Sequence, residues 1–251
     1  MNKRLYVSIL CILGMILSVI GVIGSGRIPM DFLPQGMGSQ LLQIVIFSIF
    51  SMIIVGMQVE LGMYFAQAVG APLLLLQRDF RLKEDILKPA IVVGGVCGFV
   101  LLFANQFVSI DLFPEYFFKN FFHNKYSHFF SYKMLIYVLG SVADSTALLL
   151  LFISGLGLLI SSIAKNISIN LVMLISILLY SLLSSMHQVF FATAGISMIS
   201  LGIRMCLDII RAVIFWKKGF ETAVLCHLII VFMYYLLPAG ISVLKVSYIT
   251  Q

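Results

Sequence analysis

Apolar residues run along this chain in blocks, broken by short polar segments. The blocks fall at about 5–24, 40–67, 89–107, 134–164, 168–188, 194–216 and 222–246. Each is near or above the roughly 20 residues that cross a bilayer as a helix. A membrane barrel would show alternating segments of about 10 residues instead, and the chain has none. The pattern predicts an all-α fold. It is a polytopic transmembrane helical bundle of about seven or eight spans, a single integral membrane domain over residues 1–251. The second block is long enough to bend or tilt. Lys3 and Arg4 ahead of the first block imitate a signal peptide. The apolar run from Leu5 to Ile23 is longer than a usual signal core, however, and reads as a retained first span.

Composition strengthens this picture. The chain is 61% hydrophobic and 10% charged, with a mean hydropathy of +1.11. That leaves too little polar residue to clothe a soluble domain of 251 residues. The longest loop, "SIDLFPEYFFKNFFHNKYSHFFSYK", has six phenylalanines within "YFFKNFFHNKYSHFF". Aromatic side chains settle at the membrane interface, so this loop suits an interfacial helix. Its His123 and His128 read as solvated or interfacial.

The net charge of +6 bears on orientation and lipid contact. Basic residues are dispersed, with no dense tract, which speaks against nucleic acid as a partner. Lys3, Arg4, the segment "QRDFRLKEDILK", Lys165 and the pair Lys217–Lys218 fall on one side if the N-terminus is cytoplasmic. Arg27, Lys119, Lys125, Lys133 and Lys245 fall on the other, over longer loops. The bias places the N-terminus in the cytoplasm. Cys11, Cys97, Cys206 and Cys226 form no close pair and read as small buried hydrophobes.

Ionisable groups inside spans are expensive and mark function by default. Six stand out: Glu60, Asp144, His187, Arg204, Asp208 and His227. Arg204 and Asp208 are four apart on one helix and can pair. Arg211 extends that face towards "FWKKG", where it can snorkel. Glu60 can be protonated or reach Arg204 across helices. Asp144, His187 and His227 lie on three separate helices, the form of a site built from facing helices. One carboxylate and two imidazoles can activate water directly or by holding a metal. Independent core residues, each hydrogen-bonded locally, are the other reading of the same pattern.

Over roughly residues 55–235 the chain resembles the CAAX-protease and bacteriocin-processing family of intramembrane proteases. "VGAPLLLLQRDFRLKEDILKPAIVVGGVCGFVLLF" looks like that family's stretch ahead of its active-site region. "ISILLYSLLSSMHQ" is similar to its Phe-x-x-x-His motif, with Leu183 in place of Phe and His187 as the histidine. "VIFWKKGFETAVLCHLIIVFMYYLL" matches its Trp, basic pair, Gly and His through Trp216, Lys217, Lys218, Gly219 and His227. Aligning "GSVADS" with the Glu-Glu motif puts Asp144 and Ser145 at the glutamates and Leu149 at the arginine. A register anchored on Gly155 puts leucines at both glutamates; the first keeps an acid and the spacing to His187. The family's last Asn or Asp is Val231 here.

The resemblance implies a protease-like core in an integral membrane protein of a bacterial cell membrane. Asp144 would be the base of an intramembrane endopeptidase. His187 and His227 would orient water or hold a divalent metal such as zinc. Two departures weigh on activity. Asp is a methylene shorter than Glu, and a misplacement near 1 Å can cost about 100-fold in rate. Losing the polar residue at Val231 removes a partner of a kind worth about 10–100-fold. Two readings therefore stand: a divergent peptidase cleaving membrane-associated peptides, or a non-catalytic adaptor or immunity-type protein binding a partner. A transporter would draw on Glu60, Arg204 and Asp208.

Overall fold

The computed structural model describes residues 3–25, 40–77, 79, 81–104, 142, 145–191 and 198–236. Among these there is no strand; the fold is all-helical, as the hydropathy pattern predicts. Seven α-helices are described: α1 (Lys3–Ser25), α2 (Gln40–Ala68), α3 (Lys88–Ala104), α4 (Ser154–Ile163), α5 (Ile169–Phe191), α6 (Met198–Lys218) and α7 (Phe220–Val231). Wide π-type turns lead into α3 (Leu82–Leu87) and α4 (Thr146–Ile153), and another continues α7 (Phe232–Leu236). The aromatic loop, with His123 and His128, lies outside the described residues.

Two helical stretches are long and apolar enough to cross a membrane, Ser48–Ala68 with 21 residues and Leu82–Ala104 with 23. Leu148–Ile163, Ile169–Ser184 and Phe220–Tyr234 are apolar but shorter over the described residues. Helix α6 is long but carries Arg204, Asp208 and Arg211.

Helix α1 packs on α2, α2 on Thr146–Ile153, α4 on α5, α5 and α7 on α6, and α3 on α7. Met63, Leu150, Met173, Ile177 and Phe215 are fully buried where these elements meet. Helices α3 and α7 approach closely at Gly94: a methyl group built there would lie 2.9 Å from the Cys226 carbonyl oxygen. Small residues at such seams let backbones come together.

One end of the bundle is held by a clasp of distant segments. Gly219 ends α6 and begins α7 with φ of +94°, a conformation that favours glycine. A methyl group there would come within 2.9 Å of the Pro72 carbonyl oxygen. The Phe220 N–H donates to that same oxygen at 3.3 Å. Glu221 accepts the backbone N–H groups of Leu74 and Leu75 at 3.0 and 3.1 Å. Thr222 Oγ1 donates to the Asp85 carbonyl at 3.1 Å. Residue 89 is a proline without an N–H, so that carbonyl has no i+4 donor; the Thr222 hydroxyl is shared between it and the Lys218 carbonyl at 2.8 Å. The buried Tyr6 ring of α1 lies beside the Glu221 carboxylate. The basic residues Lys3, Arg4, Arg81, Lys83, Lys88, Lys217 and Lys218 all belong to the segments gathered at this end.

Candidate functional site

The single residue between α6 and α7 makes these helices antiparallel neighbours. Residues equally far from Gly219 then come to similar depth. Arg211 and His227 both lie eight positions from Gly219, so each sits about 12 Å along its helix from that turn at 1.5 Å per residue. Arg204 and Asp208 lie deeper on α6.

These four side chains, with Leu207 and Ile230, line one recess. It has room for about one water molecule. All four ionisable groups are buried: Arg204 is 8% exposed, Asp208 4%, Arg211 6% and His227 3%. Asp208 Oδ1 is 3.6 Å from Arg211 Nη1. Asp208 Oδ2 accepts the hydroxyl of Ser184, on α5, at 2.9 Å. Arg211 Nη2 donates to Ser145 Oγ at 3.3 Å. Buried charges are tolerated when they are paired and hydrogen-bonded, and this set answers that demand with groups from three chain segments.

The arrangement departs from the sequence reading in two ways. Arg211 does not snorkel to the interface; it is buried and is an ion-pair partner of Asp208. Arg204 shares the recess with that pair, as its place on the same helical face predicts. Glu60 is exposed on α2, near Cys11 of α1, and does not line the recess. The set of Glu60, Arg204 and Asp208 on which a transporter reading drew therefore does not converge.

Of the predicted trio, only His227 is described as a side chain, and it opens into the Arg204–Asp208–Arg211 recess. Asp144 lies outside the described residues. Its chain neighbour Ser145 is within them and bonds Arg211. His187 is a helical position of α5, three beyond Ser184, but its side chain lies outside the described part. The family alignment marked Ser145 only as the place of a glutamate, and Ser184 was not picked out by the sequence. Serines in apolar helices commonly bond back to their own carbonyls, as Ser176 does to Val172 at 2.8 Å, so no local pattern assigns these two to Arg211 and Asp208.

A metal at His227 fits poorly with its described surroundings. Two guanidinium groups line the recess and repel a divalent cation. The nearby carboxylate, Asp208, is engaged by Arg211 and Ser184. Among the described residues no three of His, Cys, Asp and Glu gather in a metal-holding group. Comparison with protein families, with curated proteins and with solved structures finds no match for the chain.

Proposed function

We propose that the chain is a polytopic integral membrane protein, built like the CAAX-type intramembrane proteases, that binds a membrane-borne peptide or protein segment without cleaving it. Membrane residence is supported by what the helices present outwards. Ile91, Val92, Val96, Phe99, Val100 and Phe103 of α3 are each 56–67% exposed. Only 24% and 33% of the two longest apolar stretches are buried within the molecule. A soluble protein rarely shows contiguous apolar surface of this extent. With the basic end of the bundle in the cytoplasm, the N-terminus is cytoplasmic. The recess then lies well inside a hydrocarbon core about 30 Å thick.

The observation that carries the binding reading is the company His227 keeps. Hydrolysis by an imidazole needs a carboxylate to orient it and space for both water and the scissile carbonyl. Here Asp208 is held by Arg211 and Ser184, and the recess has room for about one water molecule. Guanidinium groups facing an apolar cleft suit recognition of a carbonyl or carboxylate oxygen. The similarity of "WKKGFETAVLCH" to the protease motif, and the contact of that segment with "GAPLLLL", support the protease-like build.

The test uses the full chain reconstituted in vesicles with a single-span apolar peptide. Wild type, Asp144→Ala, His187→Ala and His227→Ala are compared by mass spectrometry of the peptide and by its retention on the purified protein. The expected result is an intact peptide with all four proteins and retention by wild type. Cleavage by wild type that disappears in His187→Ala and His227→Ala would establish a peptidase instead.

A further inference from the structure

We infer that the basic end of the bundle is a binding site for anionic phospholipids, in which cations from three chain segments meet the phosphates of one membrane leaflet. The clasp gathers these segments. The Thr222 hydroxyl reaches both the Lys218 carbonyl, at 2.8 Å, and the Asp85 carbonyl, at 3.1 Å, so the end of α6 runs beside the Leu82–Leu87 turn. The buried Tyr6 ring beside Glu221 brings the start of α1 to the same place. Lys3, Arg81, Lys83, Lys217 and Lys218 are exposed on these three segments. Most acids described there are engaged locally. Glu84 is 3.7 Å from Lys88 Nζ, Asp85 accepts the Arg81 N–H at 2.6 Å, and Glu221 accepts those of Leu74 and Leu75. Asp79 is the other acid described at this end, and it is exposed. The face presented outwards is basic.

Charge alone fits any polyanion; the side chains between the cations narrow the partner. Leu5 follows Lys3 and Arg4, and Leu82 lies between Arg81 and Lys83; both are 54% exposed. The Lys217 ammonium lies 3.6 Å from the Trp216 ring centroid, a pairing suited to the headgroup level. A partner that matches this surface offers phosphate and hydrocarbon side by side. Lysine stems lie along acyl chains while their heads stay with the phosphates. A free phosphate or an acidic protein segment supplies the charge without the chains. Each cation near an anionic leaflet strengthens attraction about fivefold, and the effect fades within a Debye length. The inference rests on the membrane residence proposed above and adds the headgroup that this end selects.

The experiment uses the full chain, delipidated in nonionic detergent. It is offered equal amounts of phosphatidylglycerol and phosphatidylcholine with the same acyl chains, and bound lipid is counted by native mass spectrometry. Wild type is expected to retain phosphatidylglycerol over phosphatidylcholine by about tenfold or more. The triple variant Lys83→Gln, Lys217→Gln, Lys218→Gln is expected to bring the ratio close to one, and arginine at the same three positions to keep it. Lys218→Gln alone is expected to lower the ratio severalfold, which preserves the test if the triple variant does not fold. Equal retention of the two lipids by wild type, or a ratio unchanged in the glutamine variants, would overturn the inference. Displacement of the bound lipid by glycerol phosphate or by an oligoglutamate peptide at equal concentration would overturn it too, in favour of a free phosphate or an acidic protein. A second arm reconstitutes the chain into vesicles of phosphatidylcholine alone or mixed with phosphatidylglycerol. Insertion into both without lipid preference sinks the inference and leaves membrane residence intact; insertion into neither sinks membrane residence, and the inference with it.

Discussion

At the scale of single residues, the described chemistry is concentrated in the cluster of Arg204, Asp208, Arg211 and His227, within which Asp208 and Arg211 form an ion pair. Asp208 and Arg211 are buried together, and each has a serine from another segment as a second partner. Removing Asp208 leaves the Arg204 and Arg211 guanidiniums together in a low dielectric, a loss of the kind that typically costs about 3–5 kcal/mol. Removing Arg211 as well relieves their repulsion. Asp208→Leu is therefore expected to destabilise the protein in detergent by about 3 kcal/mol, and the double variant Asp208→Leu with Arg211→Met by clearly less. Denaturant unfolding of the two single variants and the double variant checks this; additive losses would show that the two side chains do not act as a pair. The pairing was half legible in the sequence. Arg204, Asp208 and Arg211 fall on one helical face at three- and four-residue spacing, which names the participants without saying which two pair. Depth along a span separates a snorkelling arginine from a buried one. That depth was set by the Gly219 turn and the packing of α7, not by anything local to Arg211.

At the scale of elements, the clasp between the α6–α7 turn and the segment after α2 sets where His227 lands. Glu221 accepts two backbone N–H groups at the Leu74–Leu76 turn, so it acts as a cap for a segment distant in the chain. Glu221→Ala leaves both donors without that carboxylate and is expected to cost about 1–3 kcal/mol, with Glu221→Gln costing less because one acceptor oxygen survives. Thermal unfolding in detergent reads this; equal stability of Glu221→Ala and wild type would show that the clasp contributes nothing. The helices themselves were legible from apolar block length, and all seven described ones overlap an expected block. Their wide turns were not. The turn at Leu82–Leu87 precedes Pro89, and the Asp85 carbonyl accepts the Thr222 hydroxyl from α7, a contact 137 residues away in sequence. A proline announces a broken hydrogen bond but not its replacement.

At the scale of the whole molecule, the described basic residues Lys3, Arg4, Arg81, Lys83, Lys88, Lys217 and Lys218 lie on segments gathered at one end, many apolar side chains face outwards, and a buried charged recess lies between α6 and α7. That distribution fits the proposed bilayer setting, with the basic end towards the cytoplasm. Trp216 is the only tryptophan of the chain and lies at the basic end, with Lys217 Nζ 3.6 Å from its ring centroid. Tryptophan beside lysine at a helix end belongs at the level of the lipid headgroups. Its fluorescence is therefore a native depth gauge, and the decisive measurement is its quenching in vesicles of lipids brominated at different positions along the acyl chain. If the bundle crosses the bilayer with the His227 recess beneath this end, bromines nearest the headgroups quench most and those near the chain ends least. Fluorescence indifferent to bromine at every depth would contradict a membrane-spanning bundle, and with it the buried site built upon it.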